Sequence, residues 1–486
     1  MLRAGGNAVD AAVAGVLMSF VTESPLTGPG AGGFMLVHTA GGEDHLLDFF
    51  VAAPGRGLAE GTEPAALRPI ELRFSEEAVQ TFNVGASSVG VYGTTVGIAQ
   101  ALRRFGTVRL GDLTGFAAQV ARDGHEVTPM EGSFIEILGP ILTSTPEAAA
   151  AFAPDGRVPV PGDTLRLPEL GDLIERLGAE GPGFLYVGDV AEAVCEWVGE
   201  RGGLLTLEDL RSYQVIEREP ARAEYRGRTM LTNPPPSSGG ILIAYSLGLL
   251  ERLGRPADVG TVVEVMDQAN RARTDEFLQG LHAEGYLERF LAKDALEKAA
   301  SRLGSTTHIS VLDDDGGCAA VTCSNGSSSG VFVPGTGMHL NNMLGEEDLN
   351  PFGFHQHAPG RRIPSMMAPT VVLREGHPQI ALGSAGSNRI RSAILQTILR
   401  VIDDGMPAQE AVTHPRVHWE GRVVEAEPGV DEEALAALEA GGREVIRFAE
   451  QSLYFGGVQA VARDPETGAL SGGGDPRRGG AAVVVP

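Results

Sequence analysis

The segment with the most reactive side chains is residues 305–310, Ser-Thr-Thr-His-Ile-Ser, where hydroxyl groups and an imidazole stand next to one another. A hydroxyl group is a weak nucleophile unless a base stands beside it. Taken alone, a Thr-Thr pair that opens a strand is also what the β-propensity of threonine predicts. These residue types therefore raise nucleophilic catalysis as a hypothesis that depends on the rest of the chain.

Two glycine-containing motifs resemble functional loops but stand in the wrong context. Residues 28–33, Gly-Pro-Gly-Ala-Gly-Gly, match a dinucleotide-binding pattern. A predicted helix precedes them and an apolar strand follows, whereas a phosphate site needs the strand first. Residues 326–330, Gly-Ser-Ser-Ser-Gly, match a nucleophile elbow, but the Val-Phe-Val-Pro-Gly that follows cannot begin a helix. We interpret the first motif as a tight turn and the second as a polar loop.

Histidine and cysteine spacing gives no metal site. His339, His355 and His357 have no carboxylate or third imidazole at ligand spacing, so we expect solvated loop histidines. The 3 cysteines are too sparse for a disulfide scaffold or a thiolate cage, and we expect them to be buried as small apolar side chains: Cys195, Cys318 and Cys323.

Composition indicates a large globular protein. The chain has 486 residues, of which 43 % are hydrophobic, enough for a deep core. Its formal net charge of −25 repels phosphate backbones and anionic lipid, so we expect neither nucleic acid nor membrane as a partner. No apolar run reaches the roughly 18 residues of a membrane span. Because no Ser/Gly-rich or Pro-rich linker divides the chain, one large domain is favoured over about three.

Hydrophobic periodicity predicts a mixed α/β (α+β) fold. The predicted elements are mainly helices before residue 306, and the chain becomes richer in strands from residue 306 onwards. The expected helices are 7–21, 94–104, 110–122, 168–178, 190–200, 239–253, 261–279, 284–302, 388–404 and 431–441. Alternating residues predict three β-hairpins, at 307–323, at 369–383 and around a turn at 464–468. Long antiparallel strands with helices outside them imply stacked layers.

Ordered motifs along the whole chain resemble those of the γ-glutamyltranspeptidase family, a branch of the N-terminal nucleophile (Ntn) hydrolases. They are residues 5–13 (Gly-Gly-Asn-Ala-Val-Asp-Ala-Ala-Val), 30–35 (Gly-Ala-Gly-Gly-Phe-Met), 121–124 (Ala-Arg-Asp-Gly), 234–240 (Pro-Pro-Pro-Ser-Ser-Gly-Gly), 306–311 (Thr-Thr-His-Ile-Ser-Val), 341–342 (Asn-Asn), 369–370 (Pro-Thr), 383–386 (Gly-Ser-Ala-Gly), 414–416 (His-Pro-Arg) and 474–477 (Gly-Asp-Pro-Arg).

The resemblance implies a four-layer αββα Ntn-hydrolase sandwich, with two stacked antiparallel sheets between helical layers. It also implies a precursor that cuts itself between Ser305 and Thr306 into a large subunit, residues 1–305, and a small subunit, residues 306–486. Both subunits would belong to one structural domain. Neither a cofactor nor a metal is implied.

Catalytic roles follow from the same resemblance. Thr306 is the expected nucleophile, and its freed α-amine, with a pKa of about 8, is the base. Thr307 and Ser324 are expected to hydrogen-bond around it, Ser324 standing where the family usually has threonine. The backbone N–H groups of Gly386 and Ser387 would form the oxyanion hole, where losing one donor typically costs about 3 to 4 kcal/mol.

Three expected substrate-binding positions have become apolar. The family's arginine, which clamps the substrate α-carboxylate, aligns with Phe50, and a phenyl ring cannot replace its paired hydrogen bonds. Met343 stands in place of a glutamine, and Met366 in place of the second serine of a pair that begins with Ser365. These changes point to a larger or more apolar acyl group, as in cephalosporin-acylase-like relatives.

The half of the expected site that meets the substrate α-amine is kept. Glu346 replaces the family's aspartate there, and Asn325 is expected to contact the same amine. An acidic residue at 346 without an arginine at 50 favours an amine-bearing or neutral acyl group over a dicarboxylate.

We therefore expect a self-processing γ-glutamyltransferase-family amidohydrolase and acyltransferase, active on γ-glutamyl compounds such as glutathione or on related acyl amides. Water or an amine would accept the acyl group. A cephalosporin or glutaryl acylase-like hydrolase and an uncleaved binding homologue are the alternatives. Residues 1–7 lack a signal peptide's basic region and cleavage site, which predicts a cytoplasmic protein. The family's usual first strand is missing before residue 5, so a longer, secreted or periplasmic form stays open.

Overall fold

Two antiparallel sheets stack face to face, and each carries helices on its outer side. The computed structural model describes residues 1–73, 79–254, 257–291, 306–421 and 423–485. The first sheet has the strand order β10-β11-β1-β2-β7 and the second the order β20-β19-β15-β14-β9-β8. The strands are β1 (Gly32–His38), β2 (Asp44–Phe49), β3 (Arg68–Arg73), β4 (Val79–Val84), β5 (His125–Glu126), β6 (Thr164–Leu165), β7 (Ile216–Arg218), β8 (Ala221–Tyr225), β9 (Arg228–Thr232), β10 (Thr307–Leu312), β11 (Cys318–Ser324), β12 (Phe332–Val333), β13 (Met338–His339), β14 (Thr370–Arg374), β15 (His377–Ala385), β16 (Val417–Trp419), β17 (Val423–Ala426), β18 (Glu444–Arg447), β19 (Gly457–Arg463) and β20 (Leu470–Gly474).

The helices form the two outer layers and the periphery. They are α1 (Ala8–Thr22), α2 (Thr94–Phe105), α3 (Gly111–Asp123), α4 (Pro129–Leu142), α5 (Pro146–Phe152), α6 (Pro168–Glu180), α7 (Asp189–Glu200), α8 (Leu207–Arg211), α9 (Ser238–Leu253), α10 (Val259–Ala272), α11 (Asp275–Gly280), α12 (Tyr286–Leu291), α13 (Arg389–Ile402), α14 (Ala408–Thr413) and α15 (Glu432–Ala440). Helices α1 and α2 pack on the first sheet, and α9 and α13 pack on the second. The αββα order expected from the resemblance is therefore confirmed.

Both sheets contain strands from before and after residue 306. In the first sheet, β11 pairs with β1 on one side and with β10 on the other. In the second, β14 pairs with β9 and with β15. The two segments of chain therefore share one apolar interior between the sheets, so neither segment holds a complete sheet by itself.

The hairpin of β10 and β11 is fixed to α1 through its turn. Asn7 caps α1 by accepting hydrogen bonds from the N–H groups of Val9 and Asp10. The Asp313 carboxylate accepts a hydrogen bond from the Ala8 N–H at 2.9 Å and closes its own turn by accepting one from Gly317 at 2.7 Å. One carboxylate therefore binds the hairpin turn to the start of the helix packed on that hairpin.

A histidine and a glycine meet where the two sheets face each other. The His308 imidazole lies between the hydroxyl groups of Thr322 and Ser310, 2.8 Å from each. A methyl group on Gly383 would lie only 2.3 Å from this ring. Burial lowers the pKa of His308 to about 3, so the imidazole is neutral.

Most predicted elements are confirmed, with informative exceptions. The hairpins at 307–323 and 369–383 form β10–β11 and β14–β15. The motif at 28–33 follows α1 and runs into β1, which begins at Gly32, so the helix precedes the strand as expected. The helix predicted over 261–279 is instead two helices, because Thr274 caps α11 by accepting a hydrogen bond from Phe277. The helix predicted over 284–302 begins as α12, and its remainder lies outside the described residues.

The prediction of a solvated His339 is wrong. This side chain is buried, its Nε2 lies 2.5 Å from the Ser328 hydroxyl, and its Nδ1 contacts the Ser24 carbonyl oxygen. Burial lowers its pKa to about 4. The loop at 326–330 is likewise polar but buried, because its serine hydroxyls have partners inside the protein. Across the described ranges, no helix combines the length and apolar character needed to cross a bilayer.

We expect Gly383→Ala to destabilise the protein by about 1–3 kcal/mol, because the new methyl group would overlap the His308 ring and push the sheets apart. Gly115→Ala is the matched control, since Gly115 is an exposed residue of α3 with nothing within 4 Å of an added methyl group. That change should be neutral or stabilise by up to about 1 kcal/mol. Urea unfolding of both variants measures the difference, and equal stabilities would contradict the contact.

Candidate active site

An open cavity of about 930 Å³ lies at one side of the sandwich and contains the predicted nucleophile. Thr306 and Thr307 form part of its wall, together with Glu23 from the end of α1. Ala385, at the end of β15, and Arg478 complete the wall near these residues. The cavity therefore brings together the starts and ends of elements from both sheets.

Thr306 comes directly before β10, the edge strand of the first sheet. Its neighbour Thr307 pairs with Cys323 in the register of the hairpin, and Thr306 is 8 % exposed at the cavity wall. The register therefore fixes the backbone at this position while leaving the residue in contact with the cavity. Cys323 and Cys318 are buried, as expected, whereas Cys195 is partly exposed.

A carboxylic acid that sequence reasoning missed contacts Thr307, the neighbour of the predicted nucleophile. The Thr307 hydroxyl donates a hydrogen bond to Glu23 at 2.5 Å. Burial raises the pKa of Glu23, the Thr307 bond opposes that rise, and the charge of Glu131 adds to it. The available signal was the position of Glu23 at the C-terminus of α1, where a carboxylate is unfavourable to the helix dipole.

Ser324 and Asn325 follow one another where β11 ends. Ser324 pairs with Gly32 of β1, and its hydroxyl accepts a hydrogen bond from the Gly326 N–H at 2.7 Å. The Asn325 side chain is fully buried, and among the described residues neither its amide oxygen nor its amide nitrogen has a hydrogen-bond partner. Buried amides seldom lack partners, yet Asn325 is not among the residues that line the cavity of Thr306.

The Gly386–Ser387 turn connects β15 to α13 and has an unusual backbone. Gly386 has φ 122° and Ser387 has φ 51°, the latter in the left-handed region that non-glycine residues rarely adopt. Within the described part of the chain, neither backbone N–H of this turn donates to a protein acceptor. The Ser387 hydroxyl donates a hydrogen bond to Asp348, a half-buried carboxyl group whose pKa is raised by loss of solvent. An oxyanion hole needs such N–H donors, but neither Gly386 nor Ser387 is among the residues that line the cavity of Thr306.

Glu346 is buried in a small hydrogen-bonded group next to the loop at 326–330. Its carboxylate accepts hydrogen bonds from the N–H and the hydroxyl of Ser327, both at 2.7 Å. Asn342 donates to the same serine hydroxyl at 2.9 Å. Burial raises the pKa of Glu346 to about 7, against the hydrogen bonds from Ser327.

The other predicted substrate-binding residues are also buried and do not line the cavity with Thr306. Phe50 stacks on Phe34 with ring centres 5.2 Å apart, in the apolar cluster between the sheets that also holds Met343. Ser365 accepts hydrogen bonds from Met367 and Ser238, and Met366 packs in the cluster on the outer side of the second sheet.

The structure thus separates the predicted site residues into two groups. Thr306 and Thr307 line the cavity, and the other predicted site residues do not. Phe50, Met343 and Met366 lie in apolar clusters. The remaining residues outside the cavity lining are Ser324, Asn325, Glu346, Ser365, Gly386 and Ser387. In the parts of the chain that the structure describes, no group of His, Cys, Asp or Glu side chains is arranged to hold a metal ion.

The αββα order, with a threonine directly before the edge strand of one sheet, is the architecture of the Ntn hydrolases. The family described as Gamma-glutamyltranspeptidase matches residues 1–485. Over 511 residues the chain is 33% identical to Acylase ACY 1 proenzyme of Pseudomonas sp. (strain V22), covering 100% of this chain and 90% of that protein. Over 520 residues it is 30% identical to Glutathione hydrolase proenzyme of Escherichia coli (strain K12), covering 98% and 87% respectively.

Among solved structures, the fold is similar to that of cephalosporin acylase from Bacillus halodurans. The TM-score is 0.81 at 26% sequence identity, and the match covers 99% of this chain and 92% of that one. The chain belongs to the gamma-glutamyltranspeptidase family.

We expect Ser387→Ala to destabilise the protein by about 1–3 kcal/mol, because Asp348 would lose its hydrogen-bond donor while the backbone strain remains. Ser387→Gly loses the same donor but relieves the left-handed strain, so it should be about 1 kcal/mol more stable than the alanine variant. Urea unfolding gives both values. An alanine variant as stable as the glycine variant would show that the turn is unstrained.

Folding should favour protonated Glu346, because its pKa rises from 4.5 to about 7 in the folded protein. The folded state then binds more protons, so the free energy of unfolding should fall as pH increases through this window, by about 3 kcal/mol in total. Glu346→Gln cannot titrate and should remove this contribution. Unfolding of both proteins between pH 4.5 and 7.5 measures it, and parallel pH profiles would disprove it.

Proposed function

We propose that the protein is a self-processing amidohydrolase and acyltransferase in which Thr306 becomes the N-terminal nucleophile of a small subunit, residues 306–486. Its substrates would be γ-glutamyl compounds such as glutathione or related acyl amides. The main observation in support of this proposal is that Thr306 lines a large cavity together with Thr307, Glu23 and the end of β15. The acylase and glutathione hydrolase relatives, both named as proenzymes, support the same function.

Maturation would use the same hydroxyl group as turnover. The Thr306 Oγ attacks the carbonyl carbon of Ser305, and the peptide C–N bond breaks as an ester forms. Water then hydrolyses the ester, which leaves a carboxylate on Ser305 and a free α-amine on Thr306. Ser305 lies outside the described residues, so the support for this step comes from the position of Thr306 and from the family.

Turnover would proceed through an acyl-enzyme. The α-amine of Thr306 takes the proton of its own hydroxyl, and the Oγ attacks the amide carbonyl of the substrate. Negative charge develops on the carbonyl oxygen, where the unused N–H donors of the Gly386–Ser387 turn would stabilise it. The C–N bond breaks and the leaving amine receives the proton. Water or a second amine then takes the acyl group, with ping-pong kinetics.

Thr307 and Ser324 would hold the nucleophile from the strand side. Thr307 is already anchored by its hydrogen bond to Glu23, and Ser324 ends the strand that pairs with β10. Losing either hydroxyl should weaken catalysis without removing it, because both groups act through the position of Thr306.

A glutaryl or cephalosporin acylase-like specificity is the second candidate. It is favoured by Phe50, which stands in the apolar cluster between the sheets instead of presenting a charged group to substrate. Met343 belongs to the same cluster, so these positions fill the interior rather than a polar subsite. Comparing the rate of hydrolysis of γ-glutamyl-p-nitroanilide with the rates for glutaryl- and adipyl-p-nitroanilide separates the two candidates. A strong preference for the γ-glutamyl compound would contradict the acylase-like specificity.

We expect Thr306→Ala to abolish both chain cleavage and turnover, since the residue supplies the nucleophile for each. Thr307→Ala should slow both, and Thr306→Ser, which keeps a hydroxyl group, should still cleave. Denaturing mass spectrometry of the purified proteins should show two chains that meet at Ser305 and Thr306. A wild-type protein that stays intact and inactive would overturn the proposed function and favour an uncleaved binding homologue.

A further inference from the structure

The backbone of the Gly386–Ser387 turn depends on support from its surroundings. Ser387 has φ 51°, in the left-handed region that is unfavourable for a non-glycine residue. A conformation of this kind persists only where neighbouring groups hold it in place. Ala385, the residue before the turn, lines the cavity of Thr306, so the position of the turn also affects the proposed site.

Asn388, directly after the turn, does not use its side chain as a helix cap. It occupies the N-cap position of α13, where an asparagine oxygen commonly accepts a hydrogen bond from the first helical N–H groups. Here the side chain makes no such bond. Its amide nitrogen instead donates to the Glu420 carboxylate at 2.9 Å, while its amide oxygen has no partner among the described residues. The contact with Glu420 therefore sets the orientation of the Asn388 side chain.

Glu420 is itself held by the segment to which it belongs. It follows β16, and its second carboxylate oxygen lies 3.1 Å from Nε2 of His418. The other imidazole nitrogen, Nδ1, lies 2.7 Å from the Ser392 hydroxyl of α13. The side-chain amide of Gln396 donates to the Val417 carbonyl oxygen at 2.9 Å and accepts a hydrogen bond from the Val417 N–H at 3.0 Å.

These contacts join β16 to one face of α13. Asn388, Ser392 and Gln396 are spaced four residues apart, which places them above one another on the same side of a helix. Each of them bonds the segment 417–420, and the contact made by Asn388 is the one nearest the turn. Because this segment is held at two further points of the helix, Glu420 is a fixed partner for Asn388.

The Glu420 side chain is a carboxylate although it is only 6 % exposed. Burial by itself would raise the pKa of this group, but the hydrogen bond with His418 and the positive charges of Arg391 and Arg389 outweigh burial and lower the pKa to about 2. Hydrogen bonds to a carboxylate are stronger than those to a neutral oxygen. The negative charge therefore strengthens the hold on Asn388, and the two arginines that follow the turn balance it.

We propose that Glu420 is a positioning residue for amide hydrolysis: by holding the Asn388 side chain, it fixes the direction of the two N–H groups of the Gly386–Ser387 turn. This inference rests on the proposed function, in which those N–H groups stabilise the oxyanion. Glu420 does not touch the substrate in this role. Without it, the Asn388 side chain is free to cap α13, and the backbone of the turn moves with it.

The test compares Glu420→Ala with Glu420→Gln in the processed enzyme. The substrate is γ-glutamyl- or glutaryl-p-nitroanilide, whichever the wild type cleaves faster. Oxyanion stabilisation acts in the transition state, so Glu420→Ala should lower kcat by about 10- to 100-fold with less than about 2-fold change in KM. Glu420→Gln keeps an oxygen that can accept the hydrogen bond from Asn388 and should retain most of kcat.

Variants of Asn388 test the other half of the contact. Asn388→Ser keeps a residue that is favourable at an N-cap, but its side chain is too short to reach Glu420. It should lose kcat as Glu420→Ala does, while its urea unfolding midpoint stays close to that of the wild type. The double variant Glu420→Ala/Asn388→Ala should lose no more kcat than either single variant, because both changes break the same hydrogen bond.

Glu264→Ala is the matched control, since it removes an exposed glutamate from α10. It should keep the kcat and the KM of the wild type. Mass spectrometry gives the processed fraction of every protein, so that rates are expressed per processed molecule. Urea unfolding gives the stability of each variant.

The outcomes distinguish this inference from the proposed function. Wild-type kcat in Glu420→Ala, additive losses in the double variant, or equal losses in Glu420→Ala and Glu420→Gln would overturn the positioning role and leave the Thr306 chemistry standing. A loss of kcat that follows a lower urea midpoint, or a Glu420→Ala protein that is never processed, would overturn it too, because either result places Glu420 in folding or maturation. A wild-type protein that stays unprocessed and inactive would overturn the proposed function itself.

Discussion

The contact between the His308 imidazole and Gly383 holds together the two strands on which the site is built. His308 is on β10, whose start carries Thr306, and Gly383 is on β15, whose end carries the Gly386–Ser387 turn. Because any side chain at 383 would overlap the ring, the two strands can approach closely only with glycine there. The separation of the sheets therefore sets the distance between the proposed nucleophile and the proposed oxyanion donors.

The elements that sequence predicts well are those whose signals are local. The hairpin of β10 and β11 has alternating residues around an Asp-Gly turn, and α1 has an Asn cap with an acidic residue in its first turn. Strands β8 and β9 were not predicted, because apolar and polar residues alternate only weakly along them and several of their residues are charged. The break between α10 and α11 depends on one capping threonine, Thr274. The prediction missed it because the apolar residues keep helical spacing across the break.

For the candidate site, the sequence predicts which residues take part better than it predicts which side chains surround them. Thr306 and the Gly386–Ser387 turn follow from motif resemblance, but Glu23 and Asp348 do not, because each meets its partner only through the fold. Glu23 contacts a residue 284 positions away and Asp348 one 39 positions away. The same limit explains the wrong prediction for His339. A polar side chain is expected to be solvated, and only the fold shows that a serine of the loop at 326–330 contacts it.

The charged groups next to the Gly386–Ser387 turn belong to other segments of the chain. Asp348 accepts a hydrogen bond from the Ser387 hydroxyl, and a terminal nitrogen of Arg478 lies close to Gly386. Asp475 makes no ion pair with Arg478 among the described residues, because its two carboxylate oxygens bind Arg416, Arg477 and the Val458 N–H. In a chain of net charge −25, Arg478 is partly buried and has no ion pair with a carboxylate among the described residues.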